Sequence, residues 1–290
     1  MATLSEIKTR ISSVESTRKI TKAMKMVSSA KFRRAQSKLL ETRPYAAKLS
    51  ELINDVLPKV EKHDQPLILE REVRRECVVV VAGDRGLCGA FNANVIRSGI
   101  KVISELKKDA EVTVFPVGKT AASFFRKNNY DIFDQEIQLF SKLEYAHALS
   151  ISGRIVNAFL AGEFDRVTIV FNEFQSAIAQ TLIEEQYLPL VLVDSDPDAP
   201  IEHDQIEPLY EPSKEVILNA LIPKNLEIQM WRVLIESNTA EEAARKVAME
   251  SATDNATDLI DDLTLIFNRT RQAVITKEIA EIVGGAEALK

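Results

Sequence analysis

Two glycine-rich segments are where residue type and spacing in this chain could handle a phosphate. Gly83–Asn92, GDRGLCGAFN, follows the apolar run CVVVVA and precedes a helical pattern. In that setting backbone N–H groups and a helix N-terminus can cradle an anion. The phosphate loop also needs a Lys followed by Ser or Thr after its last glycine, and here Ala90 and Phe91 follow Gly89. Gly118-Lys119-Thr120 has the right ending, but Thr113 stands where the earlier glycine is required. The first segment therefore reads as a tight strand-to-helix turn and the second as a coincidence. His63, His147 and His203 have no ligand spacing and suggest neither a metal site nor a nucleophile–base pair. Cys77 and Cys88 form no CxxC and are too few for a disulfide framework. Asn268-Arg269-Thr270 matches a glycosylation sequon by chance, in a chain not expected to be secreted. These residues predict no catalytic site, no metal and no cofactor.

Chemistry being absent, the long elements carry the message. The chain has 290 residues, 46% hydrophobic and 28% charged, an ordinary globular balance. No apolar run approaches the roughly 18–20 residues that span a bilayer. The segment MATLSEIKTRISSVES lacks an apolar signal core and carries acids, so neither a secretory signal nor a transit peptide is expected. A cytosolic or membrane-edge location follows. The net charge of −6 conceals an asymmetry: residues 1–43 hold eleven Lys and Arg against three Glu, and residues 241–290 hold six basic against ten acidic residues. A basic helix on an acidic protein suits an acidic partner, either nucleic acid or an acidic protein surface.

Residues 1–43 contain neither Gly nor Pro. Leu4, Ile7, Ile11 and Val14 mark one helical face, and Ala23, Val27, Ala30, Ala35, Leu39, Leu49, Ile53 and Val56 extend it with phase slips. The reading is a helix to about Leu57, bent at Pro44, roughly 80 Å long. The middle alternates strands (CVVVVA, EVTVFPV, RVTIVFNEF, and one or two within QTLIEEQYLPLVLV) with helices near 94–106, 119–127 and 142–161. That order predicts an α/β layer with a mostly parallel sheet. From Ser213 to about Val283 a helix kinked at Pro223 carries a near-heptad stripe: Val233, Ala240, Ala244, Val247, Ser251, Asn255, Ile260, Leu263, Phe267, Val274 and Ile282. Small residues on both terminal helices allow close approach, so they are expected to pair as an antiparallel coiled coil. At about 105 Å the second helix outruns the first. The predicted class is thus α/β: an antiparallel coiled coil of long N- and C-terminal helices plus a Rossmann-like globular domain. Its expected parts are 1–58, 75–195 and 210–290. Met24 and Met26 either pack in the coiled coil or face a partner. Val274, Ile275, Ile279, Ile282 and Val283 form an apolar tip suited to burial in another subunit.

Three collinear segments carry a resemblance. IKTRISSVESTRKITKAMKMVSSAKFRRAQ, GDRGLCGAFN and ARKVAMESATDNATDLIDDLTLIFNRTRQAVITKEIAEIVGGA resemble the corresponding parts of the gamma subunits of rotary ATP synthases, over essentially the whole chain. The resemblance implies a non-catalytic subunit of an H+-transporting enzyme complex, with no active site and no nucleotide of its own. It implies a central rotor shaft coupling rotation of a c-subunit ring to ATP synthesis or hydrolysis in a hexamer of alpha and beta subunits. The implied partners are alpha, beta, epsilon and the c ring, with no nucleic acid. The implied location is peripheral, on the cytoplasmic face of a bacterial plasma membrane, with membrane contact only through the complex.

Matched residue by residue, Arg271, Gln272, Thr276 and Glu278 are the tip cluster facing beta loops; Arg271 and Glu278 share a helical face, flanked by the other two. Met24 and Lys25 match the neck facing acidic beta loops, with Lys22, Lys31 and Arg33 nearby, and Arg245 matches the basic residue of the second helix close to that neck. Tyr210 and Glu211, followed by Pro212, match the foot near the c ring and epsilon. The inserted segment that photosynthetic members carry, with its regulatory cysteine pair in plants, is not visible, which argues against thiol control and favours a bacterial enzyme over a mature mitochondrial form. Against this stand a basic coiled-coil nucleic-acid-binding protein, for which interleaved aromatics are nearly absent, and a nucleotide-binding enzyme, for which the phosphate-binding Lys is missing.

Overall fold

A computed structural model of the chain describes residues 3–56, 65–176, 179–190 and 214–287. Among the described residues the elements are α1 (Leu4–Val56), β1 (Arg75–Val81), α2 (Phe91–Leu106), β2 (Glu111–Val117), α3 (Lys119–Lys127), α4 (Tyr145–Leu160), β3 (Arg166–Phe174), β4 (Gln180–Leu188) and α5 (Lys214–Glu287), with a 3-10 turn at Leu139–Ser141. Helix α1 continues through Pro44 and α5 through Pro223. By internal contact the chain divides into one unit of Met1–Ala30 with Arg245–Lys290 and a second of Lys31–Ala244.

In the Lys31–Ala244 unit a four-stranded sheet has the order β2-β1-β3-β4. β1 pairs in parallel with β2 and β3, and β3 pairs antiparallel with β4. The run QTLIEEQYLPLVLV thus contributes one described strand, joined to β3 by a short hairpin. β1 is apolar and buried from Cys77 to Val81 because both faces of the sheet are covered. One face presents Val78, Val80 and Val114 to α2 and α3 through Val95, Val102, Ile103 and Phe125. Gly99 lets α2 come close: a Cβ there would lie 2.8 Å from Val80 Cγ2. The other face presents Cys77, Val79 and Val81 to a core shared by α4 and by the 32–53 and 218–243 stretches of α1 and α5. Tyr187, 1% exposed, donates its hydroxyl to the Leu226 carbonyl at 2.8 Å, and the Ser152 hydroxyl lies 2.8 Å from it, so one phenol ties α4, β4 and α5.

A charged residue sits in the central strand. Glu76 is 1% exposed; its Oε1 accepts from the Thr168 hydroxyl at 2.7 Å, and its Oε2 accepts no hydrogen bond among the described residues. Burial pushes this carboxyl above its ordinary range, opposed by the Thr168 hydrogen bond and by the nearby Arg166 charge. An acid whose folded pKa is raised holds its proton more tightly when folded. Its favourable contribution is therefore complete below the unfolded value and is lost as pH rises through the folded one. Glu76→Gln should raise stability at neutral pH by on the order of 1 kcal/mol, with the gain fading toward acid. Denaturant midpoints at about pH 7.5 and about pH 4 check this; an equal gain at both would show that ionisation is not the cause.

In the other unit α1 and α5 pair antiparallel. Lys25 Nζ lies 2.6 Å from Glu250 Oε1, and the Thr253 hydroxyl donates to the Thr21 hydroxyl at 2.9 Å, so position falls on α1 as it rises on α5. On α1 a series of covered or half-covered positions runs through Ile7, Ile11, Val14, Arg18, Thr21, Lys25 and Ser28, and on α5 through Met249, Thr253, Ala256, Ile260, Leu263, Phe267 and Thr270, with half-covered neighbours such as Met24 and Glu250 beside them. Both series keep a strict 4-3 heptad spacing. The expected continuation of the α1 stripe through Ala23, Val27 and Ala30 is not the seam, since all three are exposed, and so are Ser251 and Asn255 on α5. No phase slip is needed, because polar side chains occupy the seam where the apolar pattern lapses.

Candidate functional site

The crevice where an open α/β sheet usually holds its ligand lies outside the carboxyl ends of the strands, where strand order switches. Here that point falls between β1 and β3. The chain fills it with its own side chains. Gly83 follows β1, and a Cβ on it would lie 2.5 Å from Cδ of Glu241 on α5, so the absence of a side chain admits that carboxylate. At the end of β3 the Phe174 N–H donates to Glu236 Oε2 at 3.1 Å. Glu236 is 1% exposed and Glu241 3%.

The position a phosphate would take at the start of α3 is likewise filled. The helix begins at Lys119 after Gly118, which has no side chain to cap it. Asp84 supplies the cap from the β1 loop: its Oδ1 accepts from the Lys119 and Gln138 N–H groups at 2.9 and 2.8 Å, and its Oδ2 from the Phe140 N–H at 3.0 Å. An anion is thus built in at the helix N-terminus, where the dipole favours one. Within the same loop the Asn92 side chain accepts from the Gly83 N–H at 2.8 Å and donates to the Arg85 carbonyl at 3.0 Å. The turn expected from three glycines is present, and Asn92 holds two of its backbone groups. Cys77 and Cys88 are both buried and joined in no disulfide, and burial pushes the Cys77 thiol up to about 12. Among the described residues no group of His, Cys, Asp and Glu could hold a metal ion.

What the helix pair offers is surface. Position falls by one on α1 for each rise of one on α5, so Leu4, the first residue of α1, comes level with about Thr270. Past that point, among the described residues, α5 has no helix beside it: every residue from Arg271 through Gly285 is exposed. The expected tip residues Arg271, Gln272, Thr276 and Glu278 all stand here. Thr276 donates its hydroxyl to the Gln272 carbonyl at 2.9 Å, placing those two one above the other. Arg271 and Glu278, seven residues apart, share a second face about 130° away rather than being flanked on both sides. Lys277 and Glu281 pair at 3.5 Å. Between these polar groups Ile275, Ile279 and Ile282 are 48%, 56% and 71% exposed, a poor fit to water for three β-branched residues.

The neck residues sit differently from one another. Met24 is half-buried, and so is Lys25, whose ammonium is held by Glu250. That hydrogen bond, with its charge attraction, keeps the Glu250 carboxyl below its usual range. Arg245 is only 7% exposed, a basic group drawn inside this chain. Lys22 and Arg33 are exposed, and Lys31 lies 3.6 Å from Glu242. Tyr210, Glu211 and Pro212 lie outside the described residues. Sequence reasoning passed over Asp84, Glu236 and Glu241. For Glu236 and Glu241 the signal was acids on a helix among residues that face the core; for Asp84, in the turn after β1, there was none. Among the described residues no helix is long and apolar enough to cross a membrane.

Comparison with known proteins gives a consistent result. A family model described as ATP synthase matches residues 3–289. The ATP synthase gamma chain of Chloroherpeton thalassium is 45% identical, with 100% of this chain and 99% of that one covered. The gamma chains of Chlorobium phaeobacteroides and Chlorobaculum tepidum are each 44% identical, over the full length of both partners. Among solved structures, a chain of the Euglena gracilis mitochondrial ATP synthase OSCP/F1/c-ring matches with a TM-score of 0.67 at 21% identity, covering 99% of this chain and 94% of that one. A chain of the rotor of the same enzyme matches with a TM-score of 0.62 at 22% identity, covering 94% and 98%. At that identity the structures speak for the fold.

Proposed function

The chain belongs to the family of ATP synthase gamma chains, and on that premise we propose that it is the central rotor shaft of a rotary ATP synthase. It couples rotation of a c-subunit ring to ATP synthesis or hydrolysis in a hexamer of alpha and beta subunits, with epsilon as a further partner. It does no bond-breaking chemistry itself. The observation that carries this reading is the lone end of α5. Fifteen successive exposed residues, apolar side chains among them, on a helix that no other described residue covers need a cover from outside. A hexamer cavity is such a cover.

Arg271, Gln272, Thr276 and Glu278 then make short-lived polar contacts with beta loops, distinguishing one angular position from another. Met24 and Lys25 face the acidic beta loops at the neck. Arg245, being buried, acts there by holding the helix pair in shape. Tyr210 and Glu211 serve the foot, against the c ring and epsilon. In the same reading residues 1–58 and 210–290 make the coiled coil and 75–195 the globular domain. The protein is peripheral to the membrane, on the cytoplasmic face of a bacterial plasma membrane, held there through the complex. Coupling to a proton flux is part of this proposal. The nucleic-acid reading draws no support from the relatives, and three of the basic residues it would use, Lys25, Lys31 and Arg43, are paired with acids of α5.

The test is assembly and rotation. Mixed with alpha and beta subunits of a close relative, the chain should form an ATP-hydrolysing complex in which a probe on it turns in steps driven by ATP. A hexamer that hydrolyses ATP while the bound chain stays still would remove the rotor reading. A second expectation concerns the chain alone: ending it after Thr270 should reduce self-association measured by light scattering, since the exposed isoleucines leave with the tip. More aggregation in the shortened form would mean that the tip is not the adhesive surface.

A further inference from the structure

The polar groups in the sheet crevice form a closed arrangement across three elements. Arg43 on α1 donates from Nε to Glu236 Oε1 at 2.8 Å and from Nη2 to Glu236 Oε2 at 3.0 Å. The same Nη2 donates to the Phe174 carbonyl at 2.9 Å, and the Phe174 N–H returns to Glu236 Oε2 at 3.1 Å. One guanidinium and one carboxylate thus bind α1, α5 and the end of β3 to one another. Around this ring the grip on α5 continues for more than a turn. The Gln180 side chain at the start of β4 donates to the Ala240 carbonyl at 3.3 Å, and Gly83 receives the Glu241 carboxylate. On α1 the Phe32 ring packs on Phe174 with centroids 5.5 Å apart.

Apolar packing resists separation of two surfaces but is non-directional, so by itself it resists sliding and twisting poorly. A guanidinium fork is planar and rigid, and its paired bonds to a carboxylate hold one orientation. Turning α5 against the strand ends would lengthen the Phe174 N–H bond or the Arg43 fork, because both end on Glu236. With Glu236 buried, water cannot replace the lost bonds cheaply.

We propose that this clasp is the joint through which the α/β layer turns together with the helices of its own unit, and that Arg43 and Glu236 are its positioning residues. The crevice that other α/β folds give to a ligand is here given to torque transmission. This inference rests on the rotor reading above.

The experiment uses the assembled complex with Arg43→Lys, which keeps the charge but loses the fork, and separately with Glu236→Gln, which keeps the shape but loses the charge. A probe is fixed on the α/β layer through Lys108→Cys, an exposed site; the two native cysteines are buried and will not compete. With the hexamer immobilised and catalysis paused, the angular variance of the probe reports torsional stiffness. Each variant is expected to raise the variance about two-fold while ATP hydrolysis stays within about two-fold of the unmodified complex, because directional ties are lost and the reacting groups are untouched. Unchanged variance in assembled complexes, whatever happens to their melting temperature, would mean that the ring is merely structural and would overturn the proposal. Failure of the rotor reading looks different: there the probe on the unmodified chain does not turn with ATP at all.

Discussion

Gly118→Ala is expected to destabilise the Lys31–Ala244 unit by about 4 kcal/mol or more, at the far end of what single substitutions do. Gly118 has φ 92° and ψ 142°, a region open essentially to glycine alone. A Cβ there would lie 1.9 Å from the Ala82 carbonyl oxygen and 2.8 Å from its carbon. Neither neighbour can yield easily: the Ala82 N–H is bonded to the Val117 carbonyl at 2.9 Å and the Gly118 N–H to the Glu136 carbonyl at 2.7 Å. The backbone strain alone costs about 1–3 kcal/mol, and relieving the overlap parts β1 from β2 at the edge of the crevice. The denaturant midpoint should fall sharply with little change in slope. A loss below about 1 kcal/mol would show that the turn relaxes freely and that its conformation is not imposed by the sheet.

Asp84→Ala should cost about 2–4 kcal/mol, because three backbone donors lose their acceptor together. Hydrogen bonds to a charged acceptor contribute about 1.5–3 kcal/mol each, but the half-buried Asp84 leaves room for water to replace part of that. The first turn of α3 and the segment at 138–140 should loosen first, since Lys119, Gln138 and Phe140 supply those donors. Amide exchange should speed at those three positions well before it does in β1. Asp84→Asn should lose less, because the amide oxygen can still accept. Uniform acceleration of exchange across the sheet would instead make Asp84 a part of the global core, not a local tie.

Sequence by itself was enough for the class and the architecture. Uninterrupted helical spacing without Gly or Pro over the first 43 residues, alternating strands and helices in the middle, and a long terminal heptad pattern are local properties, and local properties survive in a one-dimensional reading. The failed phosphate-loop matches were legible for the same reason: a missing Lys or Gly is missing at a fixed spacing. The seam between the two helices was not legible. Thr21, Lys25 and Ser28 occupy it while Ala23 and Val27 face solvent, because the choice of face rests on what the partner helix presents at the same level. Thr253 answers Thr21 and Glu250 answers Lys25, residues more than 200 positions away in the chain. Where side chains are small or polar, the hydrophobic contrast between faces is slight and pairing decides.

The crevice shows the same division more strongly. That GDRGLCGAFN is a turn between β1 and α2 could be read from its glycines and its neighbours. That Asp84 stands in for an anion at the start of α3, that Gly83 is small for the sake of Glu241, and that Arg43 meets Glu236 and Phe174 could not. Each is a contact between elements distant in sequence, and at Glu236 and Glu241 a carboxylate is buried that only partners brought in by the fold make tolerable. A linear reading sees an acid on a helix and assigns it to water, its usual solvent; tertiary structure alone supplies the donors that take water's place.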